Sequence, residues 1–357
     1  MMKQPMIDSA VSFDPPFGEP GRDGDQGFVI HPDGTATVRV RAPQAKKVVL
    51  DQFGRIFALS RATPEMWEGT FNLGPGFQYF FLKVDDADVL CPYLPIGYGC
   101  CRPMNFLDIP VPGEEEWAGL AGVPHGGVTR HVYPSSVTGR YEVCLVYTPP
   151  SYTPEKKYPV LYLQHGYGEN ETGWVYQGHV ARIADRLLAA GDMQEMLIVM
   201  GNGMVQADAQ QHDRMLFPQV LLSDLIPFIE TRYSVLPDKW HRAMAGLSMG
   251  SFQTSFTTLT HPELFGYAGV FSGFLRSIRG GSNDHLALLS DSFLFNQSFR
   301  VFYRAMGTGD QFFDTFLEDD RLLQDKGLNM IRETFPGGHD WGVWRRCIHS
   351  FLPLLFR

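Results

Sequence analysis

The chain has 357 residues, 44% of them hydrophobic and 13% aromatic, enough for a sizeable core and long for a single domain. Its formal charge of −9 is spread along the sequence without acidic blocks, which argues against a nucleic-acid backbone or an anionic membrane surface as partner. No stretch approaches the roughly 18 consecutive apolar residues of a membrane-spanning helix.

In chain order, residues 1–26 read as an N-terminal extension. The opening, MMKQPMIDSAVSFDPPFGEP, has a single Lys and no apolar run, so it is not a signal peptide. A cytoplasmic protein is expected, or a secreted one whose leader was removed ahead of the numbering. Residues 27–112 read as an all-β domain. TATVRVRAP (35–43) alternates apolar and polar residues, and KKVVLDQF (46–53) follows a Pro-bearing turn. MWEGTFNL (66–73) and FQYFFLKVDD (77–86) flank the turn GPG. Short strands at this spacing predict a small immunoglobulin-like sandwich. From Cys91 the chain is rich in Pro and Gly, and residues 113–127 read as a linker. Five cysteines is an odd count, leaving at least one thiol unpaired. Cys91, Cys100 and Cys101 fall in the loop-like stretch without a CxxC or paired-His spacing, so reduced thiols and no metal are expected.

Residues 128–357 change pattern. Apolar runs at 140–150, 158–166, 196–203, 267–273, 299–310 and 329–340 predict strands. Amphipathic runs at 180–191, 220–234 and 313–327 predict helices, as do SFQTSFTTLTHP and the closing WGVWRRCIHSFLPLLF. Alternating strands and helices of this kind predict a doubly wound, mostly parallel sheet with helices on both faces, as in the α/β-hydrolase fold.

In such a sheet ligands gather beyond the carboxyl ends of the strands. Three residues fall at such ends, in the order Ser, Asp, His that α/β-hydrolases use. Ser248 lies in AMAGLSMGS, a buried strand running into a Gly-x-Ser-x-Gly turn. That pentapeptide occurs by chance in roughly one chain of this length in ten, so its context has to carry the reading. The alternative is a turn serine capping the next helix. His339 follows PGG after the last predicted strand, where a flexible loop can bring an imidazole over the strand ends. His349 lies inside the closing helix and reads as packing or surface. Among the acids, Asp310 ends RAMGTGD directly after a strand. Asp314, Asp319 and Asp320 belong to a helix that needs a polar face, and Asp340 is adjacent to His339, where side chains diverge. Ser248 is thus read as nucleophile, His339 as general base and Asp310 as the acid that orients it. The oxyanion would be held by the Met249 amide and by the Tyr167 or Gly166 amide of LQHGYGENETGW. Tyr167, Trp174, Trp341 and Trp344 lie near these loops, where their rings either sandwich a phenolic group or pack as core. Core is favoured for Trp344, inside a helix.

YPSSVTGRYEVCLVYTPPSY, YPVLYLQHGYGENETGW, HRAMAGLSMGS, GTGD and GGHDWGVWRR together resemble the esterase D-like α/β-hydrolases. The closer resemblance is to carbohydrate esterase family 1, the feruloyl and acetylxylan esterases. It implies Ser248 as nucleophile, Asp310 as the Asp of GTxD and His339 as the His of GGHD. The segment from HPDGTATVRVRAPQA to FQYFFLKVDD resembles the early-set sandwich related to carbohydrate-binding module family 48. VLCPYLPIGYGCCRPMNF departs from that pattern, and Ser251 stands where a third glycine is common.

The expected protein is a serine esterase acting through an acyl-enzyme, with no cofactor. Its expected substrate is a small-molecule or oligosaccharide ester, foremost a feruloyl ester of a plant cell-wall fragment. Neither nucleic acid nor membrane is an expected partner, and a homodimer is left open. Rival readings are an acetylxylan esterase, a siderophore (enterochelin-type) esterase, a sugar acyltransferase and a non-catalytic carbohydrate-binding protein. Substrate binding is assigned to Tyr167, Trp174 and Trp341.

Overall fold

A computed structural model describes residues 26–206, 216–276 and 283–357, so the 1–26 extension lies outside the described residues except for Gln26. The chain divides into two compact units, Met1–Glu115 and Glu116–Arg357.

The first unit is built from two sheets. One carries Gly27–Ile30, Ala36–Arg41, Met66–Phe71 and Ser60–Arg61 in that spatial order. The other carries Arg55–Ala58, Val48–Gln52, Gly76–Val84, Arg102–Ile109 and Ile96–Gly99. Alternate residues Ala36, Val38 and Val40 face Val48, Leu50, Phe80, Leu82, Leu107 and Ile109 in one buried cluster with Trp67. This is the inward alternation of a sandwich core. The stretch after Cys91, expected as loop, instead forms a hairpin between Ile96–Gly99 and Arg102–Ile109. Its prolines and glycines hide the alternation. Pro103 is tolerated because pairing with Gly76–Val84 begins only at Asn105. Cys100 and Cys101 make the tight turn, both with left-handed φ (50° and 62°), and the buried Asn105 side chain pins Cys91 through both its backbone groups. None of the five cysteines is in a disulfide.

The second unit holds an eight-stranded sheet. Its strands are β1 (Gly127–Ser135), β2 (Arg140–Thr148), β3 (Val160–Gln164), β4 (Leu197–Gly201), β5 (Arg242–Leu247), β6 (Tyr267–Phe271), β7 (Val301–Gly307) and β8 (Ile331–Phe335). Their spatial order is β1-β2-β4-β3-β5-β6-β7-β8. The β1–β2 and β2–β4 pairs are antiparallel, and every pair from β4–β3 to β7–β8 is parallel. β3, β4, β5 and β6 are buried throughout, as strands covered on both faces must be, and they read as continuous apolar runs. β1 was not foreseen as a strand: it is a largely exposed edge whose residues show no apolar alternation. Because β3 to β8 run in parallel, their carboxyl ends lie along one edge. The loops leaving that edge carry every candidate catalytic residue.

Four helices matter for the site: α1 (Val180–Ala190), α2 (Met249–Thr260), α3 (Phe313–Leu323) and α4 (Trp341–Phe351). α2 is fully buried along most of its length although it is rich in Ser and Thr. Its hydroxyls are satisfied by carbonyls one turn back: Thr254 on Gly250 O (2.8 Å), Thr257 on Gln253 O (2.6 Å) and Thr258 on Thr254 O (2.8 Å). Small self-satisfied side chains let a polar sequence lie close on the sheet. Among the described residues no helix is long and apolar enough to cross a membrane.

The seat of α4 fixes where His339 emerges, and it rests on one glycine. The Phe351 ring packs against the rings of Phe271 and Tyr303. A Cβ on Gly269 would lie 2.8 Å from the Ala245 Cβ and 3.0 Å from the Phe351 ring. Gly269→Leu is therefore expected to overpack this layer and cost about 1–3 kcal/mol of stability, read from the urea midpoint. An unchanged midpoint would mean that the layer yields freely.

Candidate active site

Ser248 sits between the last residue of β5 and the first of α2, with φ 51° and ψ −115°. That left-handed φ is strained for a residue with a Cβ and is held by its surroundings. The Ser248 amide donates to Phe271 O (3.0 Å), continuing the β5–β6 ladder one residue beyond the strand. The flanking glycines are required by contact. A Cβ on Gly246 would lie 2.5 Å from the Gly250 backbone, and one on Gly250 would lie 2.6 Å from His165 O. Ser251 is buried, and its hydroxyl donates to Ser248 O at 2.5 Å, inside the first turn of the helix.

His339 and Asp310 meet this serine. His339 Nε2 lies 2.9 Å from Ser248 Oγ, and His339 Nδ1 lies 2.8 Å from Asp310 Oδ2. Since a carboxylate only accepts, Nδ1 carries the proton and Nε2 is left to accept from the serine hydroxyl. The Phe312 and Trp344 rings stand edge-on to the imidazole, with centroids at 5.3 and 5.1 Å, and fix its plane. Asp310 is buried, which works against its charge. The hydrogen bond and charge of His339, the Phe312 amide (2.9 Å) and the nearby Ser272 more than offset this and hold its carboxyl below the usual range. The two loops are matched by contact: Gly309 donates to Gly337 O (2.8 Å), and a Cβ on Gly307 would lie 2.5 Å from that same oxygen.

The competing acids are occupied elsewhere. Asp319 and Asp320 accept from Arg276, Arg304 and Arg332, beneath α3. Asp340 caps α4 by accepting from Val343 N (3.0 Å), and Asp314 is exposed. His349 packs its ring against Trp117.

The loop after β3 lies directly beside the serine, since a Cβ on Gly166 would be 3.5 Å from Ser248 Cβ. Residues 166–169 form a turn closed by the Glu169 amide on Gly166 O (3.3 Å). The Gly166 amide donates to Glu169 Oε2 (3.1 Å), which corrects its assignment as an oxyanion donor. Tyr167 is the next residue of this turn. The Met249 amide opens α2, where helix geometry provides no intrahelical acceptor. His165 is buried and joins two loops: Nδ1–H donates to Gly166 O and Nε2 accepts from Gly203 N, both at 2.8 Å. Both bonds require the neutral ring, and burial pushes its pKa down to about 4.

The assignment of Trp174 and Trp341 to substrate binding is likewise corrected. Both are almost fully buried, at 1% and 3% exposure, and their rings pack edge to face. The indole of Trp174 donates to Gln164 O (2.8 Å) and that of Trp341 to Glu169 Oε1 (2.9 Å). Their ring faces are spent on holding loops. Tyr167, half exposed, is accessible to a ligand. Sequence reasoning missed Glu169, His165 as a linker and Phe312. A charged residue inside the glycine loop, three positions after Gly166, was the available signal for Glu169.

The family model described as "Putative esterase" matches residues 135–353. A curated relative from Xylanibacter ruminicola, named endo-1,4-beta-xylanase/feruloyl esterase, is 35% identical over 96% of this chain and 47% of its own length. Endo-1,4-beta-xylanase Y from Acetivibrio thermocellus is 27% identical over 59% of this chain and 21% of its own. The chain thus spans less than half the length of either relative. Among solved structures, a ferulic acid esterase is 25% identical with a TM-score of 0.56, covering 64% of this chain and 97% of that one. A ferulic acid esterase from Anaeromyces mucronatus in complex with ferulic acid shares the fold at 24% identity and a TM-score of 0.60, over 69% and 96% of the two chains. The family match takes in more than half of the chain, with Ser248, Asp310 and His339 inside it, and the chain belongs to the esterase family.

Proposed function

We propose that this protein is a serine esterase that hydrolyses carboxylic esters through an acyl-enzyme, and that its substrates are feruloyl esters of plant cell-wall oligosaccharides. The observation that carries the chemistry is the continuous hydrogen-bonded chain from Ser248 Oγ through His339 to Asp310, at 2.9 and 2.8 Å.

In this reading Ser248 Oγ attacks the ester carbonyl carbon while His339 Nε2 takes its proton. Asp310 holds the resulting imidazolium in place. The carbonyl oxygen gains negative charge and is met by the Met249 and Tyr167 amides, whose value lies in being aimed before the reaction starts. As the bond to the alcohol oxygen breaks, His339 returns the proton to it. Water, deprotonated by the same imidazole, then frees Ser248 from the acyl group. The strained φ of Ser248 keeps the hydroxyl clear of the helix backbone and facing His339.

The acyl preference is supported by the name of the 35% identical relative and by local chemistry. Half-buried Phe312, backed edge-on by Phe274, stands beside the imidazole, and half-exposed Tyr167 stands on the opposite loop. Aromatic surfaces beside the imidazole and on the loop after β3 suit a planar phenolic acyl group.

Two outcomes are expected. With p-nitrophenyl acetate, Ser248→Ala should lower kcat by about 10⁴-fold or more, and Asp310→Asn by about 10⁴-fold through loss of the correct tautomer. Full activity in Ser248→Ala would remove the mechanism. In a substrate panel, kcat/KM for methyl ferulate should exceed that for acetylated xylo-oligosaccharides. The reverse order would assign the protein to acetyl esters.

A further inference from the structure

The two halves of the site, the turn that holds Tyr167 and the loop that holds His339, come from opposite ends of the esterase unit. One buried side chain joins them. Glu169 sits at the end of the 166–169 turn with 8% exposure. Its Oε2 accepts the Gly166 amide at 3.1 Å, and its Oε1 accepts the Trp341 indole N–H at 2.9 Å. Trp341 is the first residue of α4, two positions after His339.

The Gly166 carbonyl and the Tyr167 amide belong to one planar trans peptide, so they point in opposite directions. The Gly166 carbonyl is held by the His165 ring (2.8 Å) and by the Glu169 amide (3.3 Å). Fixing that carbonyl fixes the direction of the Tyr167 N–H. The Glu169 carboxylate closes the same turn from its other side, on the Gly166 amide, and carries the turn's position over to α4. Resting on the serine-esterase reading above, we propose that Glu169 is a positioning residue that sets the Tyr167 oxyanion donor in register with the general base His339 by bridging the turn to Trp341.

The chemistry of the bridge is demanding. Both partners are donors, so both Glu169 oxygens must accept, which a carboxylate does better than the acid, whose O–H is a further donor. Burial opposes its charge and pushes the carboxyl up to about 7, and the two donors work in the other direction. A glutamine of the same shape offers one acceptor and one donor, so one of the two bonds becomes a donor–donor contact.

The test compares the wild type, Glu169→Gln, Trp341→Phe and the double variant in full-length protein, with p-nitrophenyl acetate and methyl ferulate as probes. Trp341→Phe keeps an aromatic ring at the position and removes the indole donor together with part of the ring packed on Trp174 and Trp344. It breaks the bridge from its other end and carries the test if Glu169→Gln folds poorly. Thermal transitions establish that each variant assayed is folded. Each single change is expected to lower kcat by about 10–100-fold, the scale of a misplaced catalytic donor, with KM within about threefold. The double variant should be no slower than about twofold below the worse single one, because both changes cut one bridge. Unchanged kcat in either folded single variant, or effects that multiply in the double, would overturn the proposal. A wild type that shows no hydrolysis dependent on Ser248 would instead overturn the underlying esterase reading.

Discussion

Two backbones touch where β5 passes into α2, and the active site depends on that contact. Gly246 lies against Gly250, and Gly250 in turn lies against the backbone of Gln164 and His165 at the end of β3. With no Cβ in the way, the helix starts directly over the strand ends and Ser248 is forced to a left-handed φ. Such strain costs about 1–3 kcal/mol and persists only where the surroundings over-determine it. Here they do: the Ser248 amide is held by β6, its carbonyl accepts the Ser251 hydroxyl, and the helix behind it is buried. The same contact brings the loop after β3 within van der Waals distance of the serine. One close approach therefore places both the nucleophile and the loop proposed to hold the oxyanion.

Around this point three buried polar side chains, His165, Asp310 and Glu169, are each paired. His165 stays neutral and joins two loops, Asp310 keeps its charge because His339 and an amide offset the cost of burial, and Glu169 accepts from two donors. Buried groups of this kind are costly when half satisfied, so removing one partner strands the other. That gives the site its rigidity: loops after β3, β4, β7 and β8 are tied to one another by side chains, not only by the sheet.

The strands that run through the sheet's interior are legible in sequence because both of their faces are buried and they read as unbroken apolar runs. The order Ser248, Asp310, His339 is legible for a related reason: residues at the ends of parallel strands share an edge whatever their separation along the chain. Edges and turns are less legible. β1 is a largely exposed edge in which only Tyr133 and Ser135 are buried, so no apolar alternation marks it, and the hairpin after Cys91 hides behind Pro and Gly. The tryptophans show a different limit. A Trp near a catalytic loop looks the same in sequence whether its ring faces a substrate or, as with Trp174 and Trp341, spends its N–H on holding a loop. Glu169 is the converse, a charged residue in a polar loop whose burial follows only from what folds over it.

The central claim is that Ser248, alone among the serines of this turn, is the nucleophile. It is tested most directly by treating the protein with a fluorophosphonate and locating the adduct by tandem mass spectrometry, since attack on phosphorus expels fluoride and leaves a stable serine–phosphorus bond. The account predicts one adduct per chain, on Ser248. An adduct on Ser251, or none on folded and hydrolytically active protein, would contradict it.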